Sequence, residues 1–173
     1  MLRKFSCVQL NLEQPVSDGG ASPPVEARYQ AEFYRACVEL LGNLHILPEW
    51  SGKERTGRVD FAIPSQGWVV ECVREGSQLN EHIERFVGTG KYTPWLKTGQ
   101  VQEFIMLDFR RKIPSKARGK YFNGYYIFHC SLSLNVGLEW LFHVVFAEDF
   151  SCYTIYDSNC QALPGDSNVA LLQ

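Results

Sequence analysis

The stretch Arg58–Arg74, RVDFAIPSQGWVVECVR, constrains this chain more than any other. Two runs rich in Val, Ile, Phe and Trp, Arg58–Ile63 and Trp68–Val73, flank Pro64-Ser65-Gln66-Gly67. Apolar runs split by a Pro/Gly turn specify a β-hairpin. With Pro64 facing Gly67, Ile63 faces Trp68 and Asp60 stands opposite Glu71. Side chains alternate along a strand, so both acids are expected on one face. Facing Cβ atoms lie about 5 Å apart, and like charges there repel. Both acids sit among Val59, Phe61, Val69 and Val73, so something must compensate two poorly solvated negative charges. A divalent cation held by carboxylate oxygens would do so. A shared proton, raising one pKa, would also do so.

Length and charge set wider bounds. The chain has 173 residues, enough for one domain with its own core. Its 45 % hydrophobic and 21 % charged residues are ordinary for a globular domain. A net charge of −2 gives no general attraction to nucleic acid, so any such surface must be a local patch. Six cysteines are scattered without a CxxC pair, which argues against a structural zinc site. Cys37, Cys72 and Cys152 lie in apolar runs and read as buried thiols in a reducing, intracellular compartment. No stretch is apolar enough to span a membrane, and Met1–Leu12 makes a poor signal peptide.

The first helix is expected from about Pro24 to Leu41, closed by Gly42, with an inner stripe of Glu26, Gln30, Phe33, Cys37, Leu40 and Leu41. Glu32 and Glu39 are expected on its outer faces. A strand over Leu44–Trp50 leads to the hairpin. A helix from Gln78 to Val87 follows, with His82 on its apolar face and Glu81, Glu84 and Arg85 outside. Gln100–Phe109 reads as a buried central strand with Asp108 near its end. Tyr121–Leu134 adds one or two strands. Gly137–Phe146 and Ser151–Tyr156 form a second hairpin. Residues 1–23 are expected to be peripheral, with a possible short strand at Phe5–Leu12, and residues 159–173 to be a fraying tail. The order of elements predicts an α/β (α+β) domain with a mixed central sheet flanked by helices.

One charge run stands out. Arg110, Arg111, Lys112, Lys116, Arg118 and Lys120 fall within eleven positions that contain no acid. Such a loop is either simply solvated or suited to salt-sensitive phosphate contact. Arg58 is expected across the hairpin from Val73, either holding a phosphate or pairing with Asp60 or Glu71. Lys91, in the loop Gly88–Tyr92, either reaches back to the acids or lies on the surface.

An Asp and a Glu on adjacent strands split by a tight turn resemble the core of the PD-(D/E)XK, or restriction-endonuclease-like, superfamily. There the two acids bind metal, and a Lys two residues after the second acid assists the attacking water. Asp60 and Glu71 match the acids, and Val73 stands where the Lys would be. The longer stretch RVDFAIPSQGWVVECVREGSQLNEHIERFVGTGKY, followed by FIMLDFR, resembles the nuclease-like domain at the C-terminus of Crinkler-type effector proteins of fungi and oomycetes. The resemblance spans roughly residues 24–158. It implies a restriction-endonuclease-like core with an extra C-terminal β-hairpin, a Mg²⁺ or Mn²⁺ cofactor, and DNA as substrate. It also implies a place in a host cell and often its nucleus. By the same resemblance Glu26, on the first helix, joins Asp60 and Glu71 as a metal ligand. His82 then lines the site, and Lys91 or Arg58 stands in for the missing lysine. The alternative is a nuclease fold that has lost catalysis and acts as a nucleic-acid- or protein-binding effector module.

Overall fold

The computed structural model describes residues 1–12, 26–42, 44–53, 57–113, 141–147, 150–157 and 161–171. The elements are helices α1 (Cys7–Asn11) and α2 (Glu26–Leu41), strands β1 (Leu47–Trp50), β2 (Val59–Ile63) and β3 (Trp68–Arg74), and helices α3 (Leu79–Glu84) and α4 (Thr93–Lys97). Strands β4 (Glu103–Arg110), β5 (Leu141–Phe146), β6 (Cys152–Tyr156) and β7 (Val169–Ala170) complete them. Among the described residues the seven strands form one open sheet in sequence order. β1, β2 and β3 are antiparallel neighbours, β3, β4 and β5 run parallel, and β5, β6 and β7 are again antiparallel. The fold is α+β with a mixed sheet, as the order of elements predicts.

Alternation on β3 and β4 builds two layers. Val70, Cys72, Leu107 and Phe109 face α2, where Tyr29, Phe33, Ala36 and Cys37 are buried. Tyr29 stacks on Phe109 with ring centroids 4.8 Å apart. Val69, Val73, Phe104 and Met106 face the other layer, made by Leu79, Ile83, Phe86, Tyr92 and Trp95. That layer is the crossover that a parallel β3–β4 pair requires. It is compressed where Gly90 passes the end of α3: a Cβ there would lie 2.0 Å from the Glu84 carbonyl oxygen.

Several expectations need correction. Residues 1–12 are not peripheral: Leu2, Phe5 and Leu10 are core residues, and a 3₁₀ turn (Leu2–Lys4) and α1 replace the expected strand. The reason lies on α2. Glu32, expected outside, is 4 % exposed and accepts the Ser6 backbone N–H at 2.7 Å. Arg35 bonds Glu32 and also donates to the Lys4 carbonyl. The N-terminal segment thus turns an outer face of α2 into an inner one. Leu40 and Leu41, expected inside, are exposed. The C-terminal tail also packs. β7 extends the sheet beyond the expected hairpin of β5 and β6, and Leu171 is buried. Cys37 and Cys72 are buried free thiols, with burial pushing the Cys37 pKa up to about 11, while Cys152 is half-buried. No helix among the described residues is long and apolar enough to cross a membrane. The expected strands at 121–134 lie outside the described residues.

Candidate functional site

The hairpin has the expected register: Ile63 faces Trp68, Ala62 faces Val69 and Phe61 faces Val70. A 3₁₀ turn over Pro64–Gln66 joins the strands, and Gly67 closes it at φ 65°, in the left-handed region that glycine enters at no steric cost. Phe61–Val70 is the last ladder pair. Asp60 and Glu71 are therefore not joined as a direct cross-strand pair, and this corrects the simple pairing. Instead the Asp60 carboxylate turns along the strand, and its Oδ2 accepts the Cys72 backbone N–H at 2.6 Å. This geometry relieves the repulsion that two directly opposed acids would suffer.

The two acids still sense each other. Asp60 has its pKa pushed up to about 6, chiefly by burial, with the charges of Glu71 and Glu26 adding and His82 opposing. Glu26, in the first turn of α2, is also raised by burial, with His82 lowering it and Glu71 raising it. Three elements, α2, β2 and β3, thus bring Glu26, Asp60 and Glu71 within electrostatic reach of one another and of His82. Of the cluster that the resemblance implied, Glu71 and His82 are in direct contact, while Glu26 and Asp60 act on them through charge.

Glu71 is the most enclosed of the acids, 2 % exposed. Its Oε2 lies 2.9 Å from Nδ1 of His82, on α3. Arg85, expected on the outside, turns inward instead. Its Nη1 is 3.8 Å from Glu71 Oε1 and 3.2 Å from the same His82 nitrogen. One ring nitrogen does not donate to Glu71 and accept from Arg85 at once. A carboxylate is the stronger acceptor for Nδ1–H, so Arg85 acts on the pair as a nearby charge. Glu71 Oε1 is then left buried without a hydrogen-bond partner.

The expected basic residues take different positions. Arg58 is 68 % exposed and its Nε pairs with Glu49 Oε2 at 2.5 Å, at the outer edge of the hairpin, rather than with Asp60 or Glu71. Lys91 is exposed, its Nζ over the Tyr92 ring at 4.9 Å. Arg110 is not a loop residue. It ends β4, is 7 % exposed, and bonds Asp108. Arg111 lies over the Phe150 ring at 4.2 Å and donates its backbone N–H to Glu75. Lys112 is exposed. Lys116, Arg118 and Lys120 lie outside the described residues. Arg85 meets Glu71 although the sequence placed it outside, and His143 meets Asp108. Asp108 and Arg110, two apart on one strand and so on one face, carried a local signal. His143 did not, because it meets Asp108 from 35 positions away.

The acids suit a hard divalent cation in donor chemistry. Among the described residues no three His, Cys, Asp or Glu side chains converge as a ready set of ligands. Mg²⁺ needs fewer, because it commonly keeps waters and takes one or two carboxylates. Glu71 Oε1, buried and without a hydrogen bond, and the second oxygen of Asp60 are of the donor type that such a cation takes. No family model, curated protein or solved structure matches the chain.

Proposed function

We propose that this domain is a restriction-endonuclease-like module that acts on nucleic-acid phosphodiesters, with DNA as substrate and Mg²⁺ or Mn²⁺ held by Asp60 and Glu71, assisted by Glu26. One observation carries the reading. Glu71 is a nearly sealed carboxylate with one oxygen that makes no hydrogen bond, Arg85 Nη1 standing 3.8 Å from it, next to a second acid whose ionisation is already disfavoured. A buried carboxylate oxygen short of a hydrogen bond costs free energy, and a cation would offset that cost. The order of elements supports the same reading: a helix, three antiparallel strands, a helical crossover and a parallel fourth strand. That is the arrangement expected of a restriction-endonuclease-like core followed by a C-terminal hairpin.

A cation there would lower the pKa of a bound water and polarise the scissile phosphate. The protein's own groups have narrower tasks. His82 fixes the orientation of Glu71 through Nδ1, and Arg85 offsets part of the local negative charge. Cys72 N–H holds the Asp60 carboxylate toward β3. The Crinkler-type resemblance adds a place of action, the nucleus of a host cell.

A second reading is favoured by a specific observation. Val73 is fully buried, Arg58 is turned to Glu49, and Lys91 rests over Tyr92, so none of these supplies the amine that the resembling nucleases use. On that reading the domain binds nucleic acid or a host protein without cleaving. Titration calorimetry with Mg²⁺ or Mn²⁺ and a plasmid-cleavage assay separate the two. Cleavage by wild type and its loss in Glu71→Ala supports the first reading. Metal binding without cleavage supports the second. Absence of metal binding, or equal binding by Asp60→Ala, overturns the metal site.

A further inference from the structure

We propose that Arg110 is an anion-binding side chain, held by the buried pair Asp108–His143 so that its guanidinium grips one phosphate group of a nucleic-acid backbone. The nature of this ligand rests on the nucleic-acid reading above; the anion site itself stands on its own geometry.

Asp108 is fully buried on β4. Its Oδ1 accepts the Gly76 backbone N–H at 2.8 Å, and its Oδ2 accepts from His143 Nδ1 at 2.8 Å and from Arg110 Nε at 2.5 Å. Three donors from three segments fix this carboxylate in place, and it fixes Arg110 in turn. The Arg110 side chain is 8 % exposed. A guanidinium has five N–H donors. Only Nε is used, and among the described residues Nη1 and Nη2 have no hydrogen-bond partner.

A purely structural Arg–carboxylate pair gains most from a bidentate arrangement. Here Asp108 Oδ2 is shared between Nε and His143, which leaves the Nη1/Nη2 edge as an unused fork. That edge matches two oxygens of a phosphate. Its place is suitable as well. Arg110 is the last residue of the middle strand of three parallel ones, and ligands of open sheets collect at the carboxyl ends of such strands. Asp108 and Arg110 share their sheet face with Glu71, since Glu71 is aligned with Met106 and Val73 with Asp108. A backbone phosphate on Arg110 would thus lie on the face that carries Glu71.

The test measures fluorescence anisotropy of a labelled DNA duplex in EDTA, over a range of NaCl concentrations. Wild type, Arg110→Gln, Arg110→Lys and the double variant Asp108→Asn/Arg110→Gln are compared. Arg110→Gln is expected to weaken binding about tenfold and to reduce the salt slope by about one. Arg110→Lys, which keeps charge but loses the fork, is expected to recover only part of the affinity. The double variant leaves no buried charge without its partner, so it tests the site even if the single variant unfolds. Equal affinity and slope for wild type and the Arg110 variants overturns the proposal and leaves the nuclease reading standing. In parallel, inorganic phosphate is titrated into wild-type protein while the Arg110 Nε–H resonance is followed. Movement of that resonance without duplex binding keeps the anion site and overturns the nucleic-acid reading. A resonance that stays still, with no duplex binding, overturns both.

Discussion

His82 Nδ1 lies 2.9 Å from Glu71 Oε2, which ties the short helix after the hairpin to the hairpin's second strand. Among the described residues this is the one hydrogen bond to the most enclosed carboxylate of the cluster. His82→Ala leaves Glu71 without that hydrogen bond, with Arg85 Nη1, 3.8 Å from Oε1, as a nearby charge. It is expected to cost about 2–3 kcal/mol of stability, the usual penalty for orphaning a buried charged acceptor. Mg²⁺ is expected to return part of that loss, so the rise in Tm on adding Mg²⁺ should be larger for His82→Ala than for wild type. Scanning calorimetry with and without Mg²⁺ measures both. An unchanged Tm for the variant would mean that this contact does not hold Glu71.

Asp60 gives a pH dependence with a defined sign. Its folded pKa, about 6, is above the ordinary 3.8. A carboxyl raised on folding favours the folded state while protonated, so its contribution is fully present below about pH 4 and is lost as pH rises through about 6. The size is about 2 kcal/mol, reduced from the full shift because Asp60 is partly exposed. Asp60→Asn is expected to remove this decline and to be the more stable protein at neutral pH without metal. Urea denaturation across that pH range tests it. A divalent cation favours the ionised acid, so stabilisation by Mg²⁺ should be greater at about pH 8 than at about pH 5.

Restoring the missing lysine is expected to fail. Val73 is 0 % exposed and packs in the layer with Val59, Ile83 and Met106. Val73→Lys puts an ammonium into that layer. Burial would depress its pKa and cost about 3 kcal/mol or more. A lower Tm without any gain in plasmid cleavage is the expected outcome. Cleavage that rises with an intact fold would show that the position is open to solvent and phosphate.

The N-terminal segment offers a separate check. Glu32 takes the Ser6 backbone N–H and pairs with Arg35, which also reaches the Lys4 carbonyl. Glu32→Ala is expected to cost about 1–3 kcal/mol. The amides of residues 1–12 should then lose protection against hydrogen exchange, while those of β3 and β4 keep theirs. Uniform loss across the sheet would show that this segment and the sheet open as one unit.

Local chemistry explains why some of this was legible. The register of the hairpin followed from Pro64 and Gly67 alone, because a tight turn fixes which residues face each other. The C-terminal end of α2 followed from apolar spacing and from Gly42, which takes φ 54° just beyond it. The approach of His82 to Glu71 followed from strand alternation and from which face of its helix was apolar. Glu32 and Arg110 were misplaced for one shared reason. A charged side chain looks solvated in sequence until a distant segment supplies its partner, here Ser6 for Glu32 and Asp108 with His143 for Arg110.

The chain order by itself determined the hairpin and its register, the helix before it and the pair of acids near its middle, since each depends on residues a few positions apart. Only the tertiary structure decided which charges are enclosed and what they touch. It turned Arg58 outward to Glu49, drew Arg85 toward Glu71, and buried Arg110 against Asp108. The physical reason is desolvation: a side chain's charge costs or gains free energy according to the groups packed around it, and those come from strands and helices far away in the chain.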